Sequence, residues 1–192
     1  MPDFWQGVEF SHLLLSAHIN KGDRVVDATC GNGFDTIFLS QMVGSKGKVY
    51  SFDIQKQAIK NTKEKLRKND YIDRVNLIED GHQNIDKYIK EEIKGMVFNL
   101  GYLPGTNKEI TTKRNSTLSA VEKGLKLLAI GGIIVLVIYT GHPGGKEELE
   151  AILDLSINMD QVQYNVLRYN FLNQNSSPQV LAIIRRRDLC KK

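Results

Sequence analysis

The chain of 192 residues is poor in cysteine, proline and long apolar runs, and each shortage excludes something. Two widely separated cysteines, Cys30 and Cys190, are too few for a secreted domain stapled by disulfides. No CxxC pair or Cys/His cluster accompanies them, so no metal site is expected. The longest apolar stretch, Leu125 to Tyr139, is broken by Lys126 and by Gly131-Gly132. It falls short of the about 20 apolar residues that a membrane span needs. The N-terminal Met1-Pro2-Asp3-Phe4-Trp5 has no basic region and no signal-peptide core. The expected location is the cytoplasm, without a membrane partner. No linker, repeat or low-complexity tract divides the chain, so residues 1–192 are expected to form one domain.

What is present is ordinary globular composition, with 41% hydrophobic and 25% charged residues. The net charge of +4 permits an acidic partner without demonstrating one. Part of the excess lies in Arg185, Arg186, Arg187, Lys191 and Lys192, a cluster that reads first as a solvated C-terminus.

Short β-rich runs alternate with helical patterns. Strands are expected over Arg24–Thr29, Lys48–Asp53, Arg74–Glu79, Gly95–Leu100 and Ile133–Tyr139, with two more over Gln161–Tyr169 and Gln179–Arg186. Helices are expected over Phe34–Val43, Gln55–Asn69, Ile85–Glu92, Thr111–Leu128 and Lys146–Asn158. This alternation predicts an α/β fold of Rossmann type, a mostly parallel seven-stranded sheet with helices on both faces. The short polar loop Asn173–Pro178 before the last run suits a hairpin, so the last strand should be antiparallel.

The strongest chemical signal is VVDATCGNG, Val25–Gly33, a strand running into Gly31-Asn32-Gly33 and then a helix. Glycine there lets the backbone turn tightly and admits a ligand close to it. The helix start adds free N–H groups and a positive dipole end. Asp53 closes the second strand, 20 residues beyond Gly33, where an acid can accept from both hydroxyls of a ribose. Asp80-Gly81-His82 follows the third strand and can reach an adenine edge, with a helix cap near Asn84 as the lesser reading of Asp80.

These elements predict an adenosine-containing cofactor. A dinucleotide fingerprint wants GxGxxG, but Thr36 holds the third glycine position. S-adenosylmethionine needs fewer glycines and suits an acid inside the first strand, here Asp27. The expected cofactor site comprises Asp27, Thr29, Gly31, Asn32, Gly33, Asp35, Thr36, Asp53, Ile54, Gln55, Asp80, Gly81, His82 and Asn99. Cys30 reads as a small apolar turn residue rather than a nucleophile.

The substrate side should lie at the end of the fourth strand, in Asn99-Leu100-Gly101-Tyr102-Leu103-Pro104-Gly105. Asn99 can offer a carbonyl acceptor to an amine, and Tyr102 a flat face to a base. The run is similar to the Asn/Asp-Pro-Pro-Tyr/Phe motif of amino-methylating enzymes, with Leu100-Gly101 in place of the prolines. His142, in the glycine-rich Tyr139–Gly145, could contact phosphate, take a proton, or sit in a plain surface loop. Asn99, Tyr102 and His142 are the catalytic candidates. His12 and His18 read as structural or substrate-rim residues.

VVDATCGNGFDT (Val25–Thr36), NLGYLPG (Asn99–Gly105), YTGHPGG (Tyr139–Gly145) and YNFLNQNSSP (Tyr169–Pro178) together resemble the bacterial family labelled rRNA methylases, over nearly the whole chain. The resemblance implies a class I S-adenosylmethionine-dependent methyltransferase. It also implies similarity to enzymes of Gram-positive bacteria and plants that methylate the aminomethyl group on a tRNA wobble uridine. The substrate would then be the anticodon region of tRNA. Phe34 departs from the histidine that the family often carries. An rRNA or small-molecule methyltransferase, a non-catalytic RNA-binding module and an NAD-dependent oxidoreductase are the alternatives. A homodimer is compatible with the sequence, but no residue demonstrates it.

Overall fold

The computed structural model describes residues 4–101, 111–174 and 177–187. The strands are β1 (Arg24–Asp27), β2 (Lys48–Phe52), β3 (Val75–Ile78), β4 (Ile93–Leu100), β5 (Leu128–Ile138), β6 (Tyr164–Tyr169) and β7 (Gln179–Arg185). The helices are α1 (Gly7–Ser16), α2 (Phe34–Val43), α3 (Lys56–Lys68), α4 (Ile85–Tyr88), α5 (Arg114–Leu127) and α6 (Gly145–Ile157). The seven strands form one sheet in the order β3-β2-β1-β4-β5-β7-β6. β1 to β5 pair in parallel, and β7 runs antiparallel between β5 and β6. The expected mixed sheet with an antiparallel last strand is therefore what the chain forms.

The period-two alternation of the strands sorts their side chains onto two layers. Val25, Val49, Val97, Ile133 and Val135 pack with Leu15, Leu39 and Leu66 beneath α1, α2 and α3. Val26, Phe52, Met96, Phe98, Ile134 and Leu136 pack with Ile85, Val121 and Ile152 beneath α4, α5 and α6. Within α3 only Ala58, Thr62 and Leu66, spaced four apart, are buried, which leaves Lys56, Lys60, Lys63 and Lys68 in solvent.

The differences from expectation have local causes. The predicted Ile85–Glu92 helix stops at Tyr88, because Ile89 turns extended (φ −121°, ψ 124°) and is buried on the way into β4. β6 begins at Tyr164 rather than Gln161, because Asp160 holds a turn. Its Oδ1 accepts the Val162 N–H at 2.7 Å, and its carbonyl accepts those of Gln163 and Tyr164 at 3.0 and 2.9 Å. β5 begins at Leu128 rather than Ile133, passing Gly131 at φ +71° where its register with β4 shifts. No helix among the described residues is long and apolar enough to cross a membrane.

Candidate functional site

In a parallel sheet the loops after the strands gather along one edge, and ligands bind there where the strand order reverses. Here the reversal lies between β1 and β4. The turn after β1 is built on glycine. Gly31 and Gly33 have φ of +49° and +80°, the left-handed region, and Gly33 opens α2. A Cβ on Gly33 would lie 2.7 Å from Thr62 Oγ1 and 3.1 Å from Thr62 Cα, so α3 packs directly against the turn. Thr62 also donates to the Gly31 carbonyl at 3.1 Å, and Asn61 Nδ2 donates to Asn32 Oδ1 at 3.1 Å.

Asp53 lies beside this turn. Its Oδ2 accepts the Gly31 N–H at 2.9 Å and its Oδ1 accepts the Gln55 N–H at 2.9 Å. Burial raises the Asp53 pKa above the usual carboxylate value against the lowering effect of these bonds. Each carboxylate oxygen keeps a second lone-pair direction for a hydroxyl. Ile54, between Asp53 and Gln55, is exposed.

Asp27 is enclosed rather than facing the edge. It is fully buried, accepting from the Thr29 N–H at 3.2 Å and from the Thr36 hydroxyl at 2.6 Å. Burial, helped by the charge of Asp35, pushes its pKa up to about 8. Its direct partners are the loop and the first turn of α2. Cys30 is buried 3.5 Å from Thr62 Oγ1, and burial pushes its thiol far above the ordinary value. That environment suits the small apolar turn residue expected from the sequence.

After β3, Asp80 accepts from the Gly81 N–H (2.7 Å), Asn84 Nδ2 (2.9 Å) and the Tyr88 hydroxyl (2.9 Å). Burial would raise its pKa, but these bonds outweigh it and hold the group below the usual value. Asp80 thus ties the Gly81 N–H to the side chains of Asn84 and Tyr88, and it caps neither the short turn His82–Asn84 nor α4, whose starts have no side-chain cap. His82 reaches under the β1 loop, where its Nδ1–H donates to the Ala28 carbonyl at 2.9 Å. Its Nε2 is buried without a partner, and burial lowers its pKa, so the ring offers a neutral acceptor.

At the end of β4, the Asn99 N–H donates to Thr29 Oγ1 at 2.7 Å, joining the β1 loop to the substrate side. The Asn99 side chain donates from Nδ2 to Asp35 Oδ2 at 2.6 Å, and Asp35 Oδ1 takes His12 Nε2 at 2.6 Å. From the sequence, His12 reads only as a structural or substrate-rim residue, with no partner assigned. It sits on α1, outside the β-α repeats, and its one signal was a polar residue among Leu13, Leu14 and Leu15. Its ring stacks on Phe38 with centroids 3.8 Å apart and planes 1° from parallel. Tyr139 lies nearby at the end of β5. Burial and then the charge of Asp35 raise its pKa.

His142 is buried, with Nδ1 3.0 Å from the Pro143 carbonyl and Nε2 unpartnered. Nε2 packs over Gly145, where an added Cβ would come within 3.0 Å of it. The ring is thus tucked under the loop it belongs to. His18 is remote, with Nδ1 3.0 Å from the Gly131 carbonyl. Tyr102 lies outside the described residues, as does the rest of the run to 110.

A family model described as "Putative rRNA methylase" matches residues 49–185. The chain belongs to this rRNA methylase family. A model of protein-L-isoaspartate(D-aspartate) O-methyltransferase also matches residues 8–89, the half that carries the glycine turn, Asp53 and Asp80. The tRNA (mnm5s2U34)-methyltransferase of Arabidopsis thaliana chloroplasts is 36% identical over 94% of this chain and 70% of its own length. A crystal structure from Clostridium thermocellum described as a "putative rRNA-methylase" is 45% identical, with a TM-score of 0.93 over 96% of this chain and 100% of that one. A crystal structure from Streptococcus mutans described as "a putative methyltransferase" in complex with SAH is 40% identical, with a TM-score of 0.87 over 95% and 99% of the two chains. The chain is accordingly a methyltransferase with the class I fold.

Proposed function

We propose that this protein uses S-adenosylmethionine to N-methylate the 5-aminomethyl group of the wobble (thio)uridine in the anticodon of tRNA. The observation that carries the reading is the similarity to the plant tRNA methyltransferase along 94% of the chain. The site supports it. Backbone freed of side chains at Gly31 and Gly33, the accepting Asp53 carboxylate and the orphaned His82 Nε2 together fit an adenosine with a small polar tail. Asp53 with Ile54 and Gln55 would hold the ribose, Asp80, Gly81 and His82 the adenine side. Thr29, Gly31, Asn32 and Gly33 would hold the rest, with Asp27 and the fully buried Thr36 bracing them from beneath, while Asp35, both of whose oxygens are taken by His12 and Asn99, serves the substrate side instead of the cofactor. When bound, the cofactor supplies a methyl group on a positively charged sulfur.

The acceptor in this reading is an alkyl amine, so no catalytic cysteine is needed, in keeping with the raised Cys30 thiol. An amine must arrive as its free base and aligned. The Asn99 carbonyl oxygen would accept one of its N–H bonds, and Tyr102 would pack on the uridine ring. His142 and the Asn173–Pro178 loop would shape the substrate wall. The exposed Lys113, Arg114, Arg186 and Arg187 are candidates for phosphate contacts, which would make tRNA binding weaken with salt. Residues 1–192 would work as one domain in the cytoplasm.

Labelled S-adenosylmethionine and tRNA from a strain unable to complete the wobble modification provide the test. Nuclease digestion and mass spectrometry should reveal a methylaminomethyl uridine. Absence of transfer to tRNA with cofactor binding intact would overturn the substrate and direct the search to rRNA and small amines. Size-exclusion chromatography with light scattering of the same preparation decides between a monomer and a homodimer.

A further inference from the structure

Three side chains from three separate elements meet at the substrate side of the edge. Asp35 stands at the start of α2 and is almost enclosed, with 7% of its side chain exposed against 27% for His12. Its two oxygens are divided. Oδ1 takes His12 Nε2 and Oδ2 takes Asn99 Nδ2, each at 2.6 Å.

A carboxylate can only accept, whereas a carboxamide has one accepting and one donating end. The amide end that faces Asp35 must therefore be the donating NH2. Asn99 Oδ1 is left as the end without a partner among the described residues, at the tip of β4 where the acceptor is expected. Were the amide turned over, it would present N–H to an amine's N–H and repel the substrate that the site is meant to hold.

Asp35 can impose this orientation only if its own plane is held. His12 supplies the hold, because its ring is clamped flat against Phe38 and aims Nε2–H at the other oxygen. We propose that His12 is a positioning residue for methyl transfer. Through Asp35 it fixes the Asn99 amide with its carbonyl oxygen toward the acceptor, so that the site selects a nucleophile bearing N–H. The inference rests on the proposed reading that the acceptor is an amine. It assigns α1 a part in the chemistry, although α1 lies outside the repeating strand–helix units.

His12→Gln keeps an N–H donor near the position of Nε2. His12→Leu keeps bulk and removes the donor. Turnover on the hypomodified tRNA, SAH affinity by calorimetry and the Asn99 side-chain amide signals by NMR are measured for each, with Asn99→Ala assigning the signals. With His12→Leu, kcat should fall on the order of 10–100-fold, as for a mispositioned group. SAH affinity should stay within about twofold, below the tenfold that a lost 1.4 kcal/mol contact would cause. The Asn99 amide protons should exchange slowly in the native protein and in His12→Gln, and rapidly in His12→Leu. His12→Gln should recover most of the turnover.

The proposal is overturned if His12→Leu leaves kcat and the amide signals unchanged, or if His12→Gln is as impaired as His12→Leu. It is also overturned if kcat falls while the amide signals stay as they were, since His12 would then act on substrate directly. If the native protein does not methylate the tRNA, the amine-acceptor reading fails by itself. The amide signals then decide the relation between His12 and Asn99 without any turnover.

Discussion

The Asp53 carboxylate at the end of β2 accepts the Gly31 N–H of the turn after β1 at 2.9 Å, across 22 residues of chain. One acid thereby fixes the shape of the glycine turn and keeps lone pairs for a ligand. Asp53→Ala should lower SAH affinity about 10–100-fold, the loss of hydrogen bonds to a charged acceptor being worth about 1.5–3 kcal/mol. Titration calorimetry measures this, and a native-like circular dichroism spectrum separates it from unfolding. Unchanged affinity would remove Asp53 from the cofactor site.

Gly33 carries a different constraint. At φ +80° any other L-residue costs roughly 1–2 kcal/mol in backbone strain. The new Cβ would also meet Thr62 at 2.7–3.1 Å, part of that contact being backbone. Gly33→Ala should therefore lower the melting temperature by at least about 2–4 °C per kcal/mol at this chain length. SAH affinity should fall with it, because α2 begins at this residue.

Asp27 makes stability depend on pH in a stated direction. Its pKa rises from 3.8 to about 8 on folding, so between these values the folded chain keeps a proton that the unfolded chain releases. Its contribution is complete below about pH 4, declines as pH rises, and levels off above about 8. Asp27→Asn removes this titration while mimicking the protonated acid. The melting temperature of the variant minus that of the native protein should increase from pH 5 to pH 8.5, by about 1.36 kcal/mol equivalents for each pH unit at most. A difference independent of pH would refute the shift.

Glu148 is a fully buried carboxylate near the start of α6, bound by the hydroxyls of Thr112 at 2.8 Å and Thr117 at 2.5 Å. Burial raises its pKa against the lowering effect of these two bonds. Thr117→Val should destabilise the fold by about 1–3 kcal/mol, since it strips a buried charged group of a donor. Thr112→Val should cost less, because Thr112 is only partly buried and water can replace it. Urea unfolding of both variants tests the order.

Much of the cofactor half was legible as local pattern. The glycine turn, the strand before it and the acid after β2 follow from spacing, because a βαβ unit of fixed geometry brings Gly31 and Asp53 side by side whatever else the chain does. The antiparallel β7 was legible from a polar loop too short for a crossover. Boundaries such as the early end of α4 were not, since burial of Ile89 in the finished core overrides a helical pattern.

Residue types, periodicity and turn chemistry, which act over a few neighbours, are what the sequence by itself determined: the order of strands and helices and the edge where a ligand would lie. Only the tertiary structure decided which side chains meet there. His12, Asp35 and Asn99 are separated by 23 and 64 residues, and no short-range rule relates them. Their meeting depends on α1 lying across β5 and β7, in the layer shared by Leu15, Val137 and Val180. The same packing buried Asp27 under the turn and left His82 Nε2 without a partner, because burial is a property of the assembled layers and not of any segment.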